Sequence, residues 1–230
     1  RAGLSFGLEY ARIGVFMNQA GGTLVSEDGT TATADSPENL QALEYVQSLV
    51  EAGSLKFPSE LGAGWGGEAF GQQTAAMVIE GPWINGALAN DYPDVNYRVV
   101  ELPEGPGGPS TFVFTNCWGI PAGSETRDQA IDLVEFLTSD EQQLAFSEAF
   151  GVIPSTESAA ATYAEQFPDN EAFVAGNDYA VSPIAFAGAA EVIADFNASL
   201  EGFATGGDAQ TILTTLQANL QAALDAANAG

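Results

Sequence analysis

Apolar residues recur along this chain in blocks of helical spacing, broken by glycine- and proline-rich turns and by a few short apolar runs. Residues 4–20 place Leu8, Ile13, Phe16 and Met17 on one side, which predicts a helix that Gly21 and Gly22 end. A short strand at 23–25 runs into an acidic turn, Glu27-Asp28-Gly29. Ser36 then caps a second helix with Pro37 at its first position. Its stripe is Leu40, Leu43, Val46, Leu49 and Val50, and Gly53 stops it. A glycine-rich loop, 62–67, carries Trp65. A short helical end at 68–70 leads to an apolar strand, 75–79, and the strand stops at Glu80-Gly81-Pro82, with Pro82 set to open a helix over about 82–89.

The second half continues this alternation. Residues 97–102 read as a strand, followed by a loop rich in Pro and Gly at 103–109. Residues 111–120 read as another strand. Phe112, Phe114, Asn116 and Trp118 share one face and Val113 and Cys117 the other, with Cys117 expected to pack in the interior. A helix over 126–137 has Ala130, Ile131, Val134 and Leu137 as its buried stripe. Ser139 and Gln142 form a capping box for the next, which Gly151 ends. After an irregular stretch come two long helices, about 188–203 and 208–227, the last capped by Asp208. Strands alternating with dominant helices predict an α/β fold.

Composition narrows the chemistry. Thirty-one Asp and Glu stand against 5 Lys and Arg, a net charge of −26. No basic patch exists to neutralise phosphates, so nucleic acid is excluded as a partner. The acidic residues are dispersed, which reads as a highly solvated surface; a cationic ligand or partner is the sharper alternative. With no histidine, His acid–base chemistry and His metal sites are excluded. One cysteine forms no intrachain disulfide. No apolar run reaches the ~18 residues a membrane span needs. The N-terminus shows no signal peptide and enters an apolar-periodic segment at once, as if the chain starts in the middle of something.

The most informative chemistry lies at the turn after residue 79. There a carboxylate, Glu80, and an aromatic plane, Trp83, stand side by side at a strand end. Sugar recognition needs this pair: CH groups stack on the ring while hydroxyls donate to the carboxylate. Asn116 is a further hydrogen-bonding candidate, and Trp65 is one by its place in a loop.

The stretch from Ala69 to Trp83 resembles a signature of the extracellular solute-binding proteins that serve carbohydrate ABC importers, the maltose-binding-protein-like group. The resemblance extends in order through Ser36-Pro37-Glu38, Leu102-Pro103-Glu104-Gly105-Pro106-Gly107-Gly108, Trp118-Gly119-Ile120-Pro121, Leu137-Thr138-Ser139-Asp140-Glu141-Gln142 and Gly151-Val152-Ile153-Pro154-Ser155. It implies a class II periplasmic-binding-protein architecture. Residues 1–108 and 152–230 would form the C-terminal lobe, and 109–151 a hinge-crossing segment of the N-terminal lobe, the rest of which is missing. It implies an extracellular or periplasmic capture protein, lipid-anchored through an absent N-terminal segment. Its partners would be a carbohydrate, the permease subunits and the missing N-terminal half.

By the same resemblance, Trp83 and Trp118 are ligand-facing aromatics and Glu9 and Tyr10 an acidic–aromatic pair at the ligand. Relatives often carry an aromatic near position 189, where this chain has the small residues Ala187-Gly188-Ala189-Ala190. The resemblance implies no cofactor, metal or catalysis. Two alternatives stay open. One is a binder of a cationic solute such as a polyamine, which needs carboxylates around an aromatic box. The other is a glycoside-acting enzyme using a carboxylate pair such as Glu9 and Glu80.

Overall fold

A computed structural model describes residues 1–203 and 205–229. The chain gathers into two compact units. One is Arg1–Ile79 with Leu102–Val113 and Asp178–Gly230; the other is Glu80–Glu101 with Phe114–Asn177.

The first unit opens with strand β1 (Ala2–Ser5), not with a helix from residue 4. Its backbone is claimed on both sides. It pairs in parallel with β2 (Ala75–Val78), in register Ala2 with Ala75 and Leu4 with Met77, while Leu4 also bridges Leu55. The ladder satisfies the N–H and C=O groups at once, which overrides the local helical spacing. The helix α1 (Tyr10–Gln19) starts after Glu9, in extended backbone, and places Ile13 and Met17 in the core. Helix α2 (Pro37–Glu51) follows the reading closely: Ser36 Oγ accepts from Asn39 N at 3.2 Å, and Leu43 and Val46 are buried. The expected strand at 23–25 is reduced to a bridge between Val25 and Ala32.

Helix α3 (Gly66–Gly71) precedes β2, so the glycine-rich loop is shorter than expected. Strand β3 (Thr111–Phe112) pairs in parallel with β4 (Ala180–Val181). Helices α9 (Ala189–Phe203) and α10 (Ala209–Asn228) complete the unit, with Phe196, Leu200, Leu213, Leu216 and Leu220 packed into one core with α1 and α2. Two glutamines of α10 pin the segment after the acidic turn: Gln221 Oε1 accepts from Ala32 N and Gln217 Nε2 donates to Ala32 O, at 2.9 and 2.7 Å.

The second unit is helical: α4 (Ile84–Asp91), α5 (Arg127–Leu137), α6 (Asp140–Phe150), α7 (Glu157–Gln166) and α8 (Glu171–Ala175). Pro82 lies before α4 rather than at its first position, because Trp83 is the N-cap. Ile84, Leu88, Ala159 and Tyr163 are its buried hydrophobics. The stripe expected on α5 is only half-buried, with Ile131 exposed, and Phe136, Phe146 and Phe150 are each 56% exposed. Ser139 makes no capping box; its Oγ donates back to Phe136 O at 2.8 Å.

Two expected strands differ. Residues 97–102 are irregular, and the strand from 111 stops after Phe112. Val113 N still donates to Val181 O at 3.0 Å, and β4 ends there. A strand persists only while a partner supplies its ladder. Cys117 is consequently exposed rather than packed in the interior. Among the described residues no helix is long and apolar enough to cross a membrane.

Candidate functional site

The chain passes from the first unit to the second between Ile79 and Glu80 and again between Val113 and Phe114. The best candidate pair sits at the first passage. Strand β2 delivers Glu80, Gly81 and Pro82 turn the chain, and Trp83 caps α4 in helical backbone (φ −57°, ψ −20°). The indole Nε1 donates to Glu80 Oε2 at 3.1 Å. This bond engages the indole's single donor, so the ring otherwise presents an apolar π-face. The ring folds back over Gly81, where any side chain would collide with it. Trp83 remains 36% exposed. Phe114 meets it edge-on, with centroids 6.3 Å apart and planes at 66°. The quadrupoles of two aromatic rings favour this geometry. The turn therefore carries a carboxylate, an indole plane tied to it and a second ring bracing the plane. Phe114 was not singled out as a site residue, although it shares the parity of Asn116 and Trp118.

Asn116 and Trp118 belong to the same unit as this pair and are exposed, Trp118 at 64%. The remaining candidates belong to the first unit. Trp65 is the N-cap of α3, half-buried, with its ring over Gly67. Glu9 is the half-buried N-cap of α1 and makes no side-chain cap bond. Tyr10 is a core residue, its ring tilted against Phe112 with centroids 5.2 Å apart and edge-on to Phe196 at 6.3 Å. Burial pushes its phenol up to about 12, partly offset by a hydrogen bond from the Ile184 backbone. Ala189, in the run of small residues 187–190, is buried at the start of α9. Among the described residues no group of three or more His, Cys, Asp or Glu is placed to hold a metal ion.

The sequence pattern of a bacterial extracellular solute-binding protein family matches residues 7–175. The chain belongs to that family. Among relatives of this solute-binding protein, a putative binding protein of Brucella abortus is 25% identical over 161 residues, covering 67% of this chain and 38% of the relative. An ABC substrate-binding protein from Listeria monocytogenes in complex with cycloalternan superposes with a TM-score of 0.87 at 22% identity, over 97% of this chain and 59% of that one. The maltose/maltodextrin-binding domain from Bdellovibrio bacteriovorus bound to maltotriose superposes with a TM-score of 0.82 at 21% identity, over 96% and 60%. The fold is therefore that of the periplasmic binding proteins of the maltose-binding type. The chain spans less than two thirds of each of these proteins. The family is one of extracellular binding proteins, which implies a periplasmic or extracellular location.

Proposed function

We propose that this chain is part of the substrate-binding component of a carbohydrate ABC importer, which captures a sugar or oligosaccharide outside the membrane and delivers it to a permease. The observation that carries the reading is the turn at Glu80–Trp83, where an indole plane is locked to a carboxylate and braced by Phe114. Stacking on Trp83 supplies affinity and polar groups orient the hydroxyls. Trp118, Asn116, Trp65, Glu9 and Tyr10 complete the candidate set, with Tyr10 acting from the core rather than by direct contact. No covalent chemistry is part of this function.

The permease partner, the lipid anchor and the lobe boundaries at 108/109 and 151/152 belong to the same proposal. So does the remainder of the intact protein, which would cover the apolar faces of α5 and α6 around Phe136, Phe146 and Phe150. The test is isothermal titration calorimetry of the intact parent protein against mono- and oligosaccharides, putrescine and spermidine. A sugar binds at micromolar or tighter affinity, and Trp83→Ala weakens it by ~2 kcal/mol, about thirty-fold, as expected for an aromatic anchor that the ligand covers. Polyamine binding, or no sugar heat from the folded protein, overturns the reading.

A further inference from the structure

The Trp83 turn is held by the end of a helix distant in sequence. Helix α6 stops at Gly151, whose backbone is left-handed (φ 71°, ψ 13°) and whose N–H donates to Ser147 O at 2.8 Å. A Cβ at residue 151 would sit 2.8 Å from the Pro82 carbonyl oxygen, and 3.4 Å from both Asn85 Cβ and Gly86 N. The Pro82 oxygen belongs to the backbone and already accepts from Asn85 N at 3.1 Å, so it cannot yield as the tip of a flexible side chain would. Farther along, α4 is fastened by a polar chain. Asn85 Nδ2 donates to Asn170 Oδ1 at 2.7 Å, Asn170 Nδ2 donates to Tyr163 Oη at 2.7 Å, and Tyr97 Oη donates to Asn85 Oδ1 at 3.0 Å. Asn170 and Tyr163 are buried. Trp83 lies in the chain between Pro82, which Gly151 abuts, and Asn85, which the amide chain fixes.

We propose that Gly151 is a positioning residue for Trp83: the bare backbone at the end of α6 lets the Pro82 carbonyl approach, and that approach sets the plane of the indole. The proposal rests on the reading of Trp83 as a ligand platform and adds what orients it. Any side chain at 151 forces the Pro82 carbonyl away by roughly 0.5 Å, with Asn85 still tethered, so the turn between them rotates. A shift of about this size is the tolerance a binding constellation allows.

The experiment labels the intact parent protein with 5-fluorotryptophan and follows the Trp83 resonance, assigned by its loss in Trp83→Phe, by fluorine NMR without ligand. Gly151→Ala is compared with Gly53→Ala. Gly53 has the same left-handed backbone (φ 69°) but nothing within 4 Å of the added methyl, so it controls for strain. Gly151→Ala moves the Trp83 resonance by more than its linewidth, and Gly53→Ala leaves it in place although both variants lose stability. Maltotriose is the sugar probe; where the parent protein binds it, Gly151→Ala raises Kd at least about tenfold and Gly53→Ala leaves it unchanged.

A Trp83 resonance equally unmoved in both variants overturns the proposal. If Gly151→Ala does not fold, Gly151→Asn, a residue that tolerates left-handed backbone, brings the same Cβ against the Pro82 carbonyl and is read by the same resonance; an unmoved signal there also overturns the proposal. Sugar binding that survives Trp83→Ala sinks the ligand reading, whereas the resonance decides the positioning role independently.

Discussion

Salt should control the stability of this protein through its surface charge. The net charge of −26 is carried entirely outside the core, since no Asp or Glu is among the buried residues described. Spread over 12913 Å², it amounts to one net charge per ~500 Å², or about 22 Å between neighbours. At that spacing the unscreened repulsion in water is about 0.2 kcal/mol per pair. With about six neighbours each, the charges share roughly 80 such pairs, and screening leaves ~7 kcal/mol of repulsion at ~10 mM salt but under ~2 kcal/mol at ~0.1 M. The unfolded chain spreads the same charges farther apart and feels less of this. The folded state should therefore gain about 3–5 kcal/mol between ~10 mM and ~0.1 M NaCl. Further salt should add little, because the spacing is already about two Debye lengths at ~0.1 M.

The assay is urea unfolding over a NaCl series; guanidinium, itself a salt, would screen the effect away. NaCl and KCl should act alike. A gain below about 1 kcal/mol over this range would refute the argument. So would a gain that keeps rising linearly to ~1 M, since that is the signature of salt excluded from apolar surface rather than of screening.

Leu220 is fully buried on α10 in the main core, and Leu220→Ala should cost about 3 kcal/mol in urea unfolding at ~0.3 M NaCl; a cost under ~1 kcal/mol would show that α10 does not anchor that core. Tyr10 keeps its proton up to about 12 in the folded state, whereas an unfolded tyrosine loses it near 10. Between these values the folded state holds more protons, so stability falls as pH rises, by up to about 1.4 kcal/mol per pH unit. Tyr10→Phe should flatten that alkaline slope between urea midpoints taken at about pH 9 and pH 11, and an unchanged slope would assign the loss to other groups. Cys117 is exposed and free, so one thiol should react with a disulfide reagent in the native protein as fast as in urea; a protected thiol would contradict its placement.

How legible the molecule was depends on the range of the forces involved. Ser36-Pro37 and Gly53 bracket a helix by capping chemistry confined to a few neighbours, and α2 forms where that chemistry says. The stripe through Leu213, Leu216 and Leu220 is likewise a local period, and it is buried. Failures came where a distant partner decides. Residues 2–5 form a strand because β2 and Leu55 take their hydrogen bonds, and 113–120 leave strand geometry where β4 ends. The apolar period of α5 correctly marked a helix, yet periodicity carries no information about what lies against the face, and Ile131 stays exposed.

The same division runs through the candidate site. The sequence by itself determined α2, α5, α6, α9 and α10, though it read as irregular the stretch that folds into α7 and α8. It also determined the acidic solvated surface, the absence of histidine chemistry and the proximity of Glu80 to Trp83, because a three-residue turn leaves them no other neighbourhood. Only the tertiary structure decided that the indole N–H is bonded to that carboxylate, that Phe114 braces the ring, that Tyr10 is enclosed by Phe112 and Phe196, and that Gly151 abuts Pro82. Each of the last three joins residues about thirty or more positions apart in the chain. Backbone propensity and capping act over a turn or two, whereas such contacts depend on how whole elements pack.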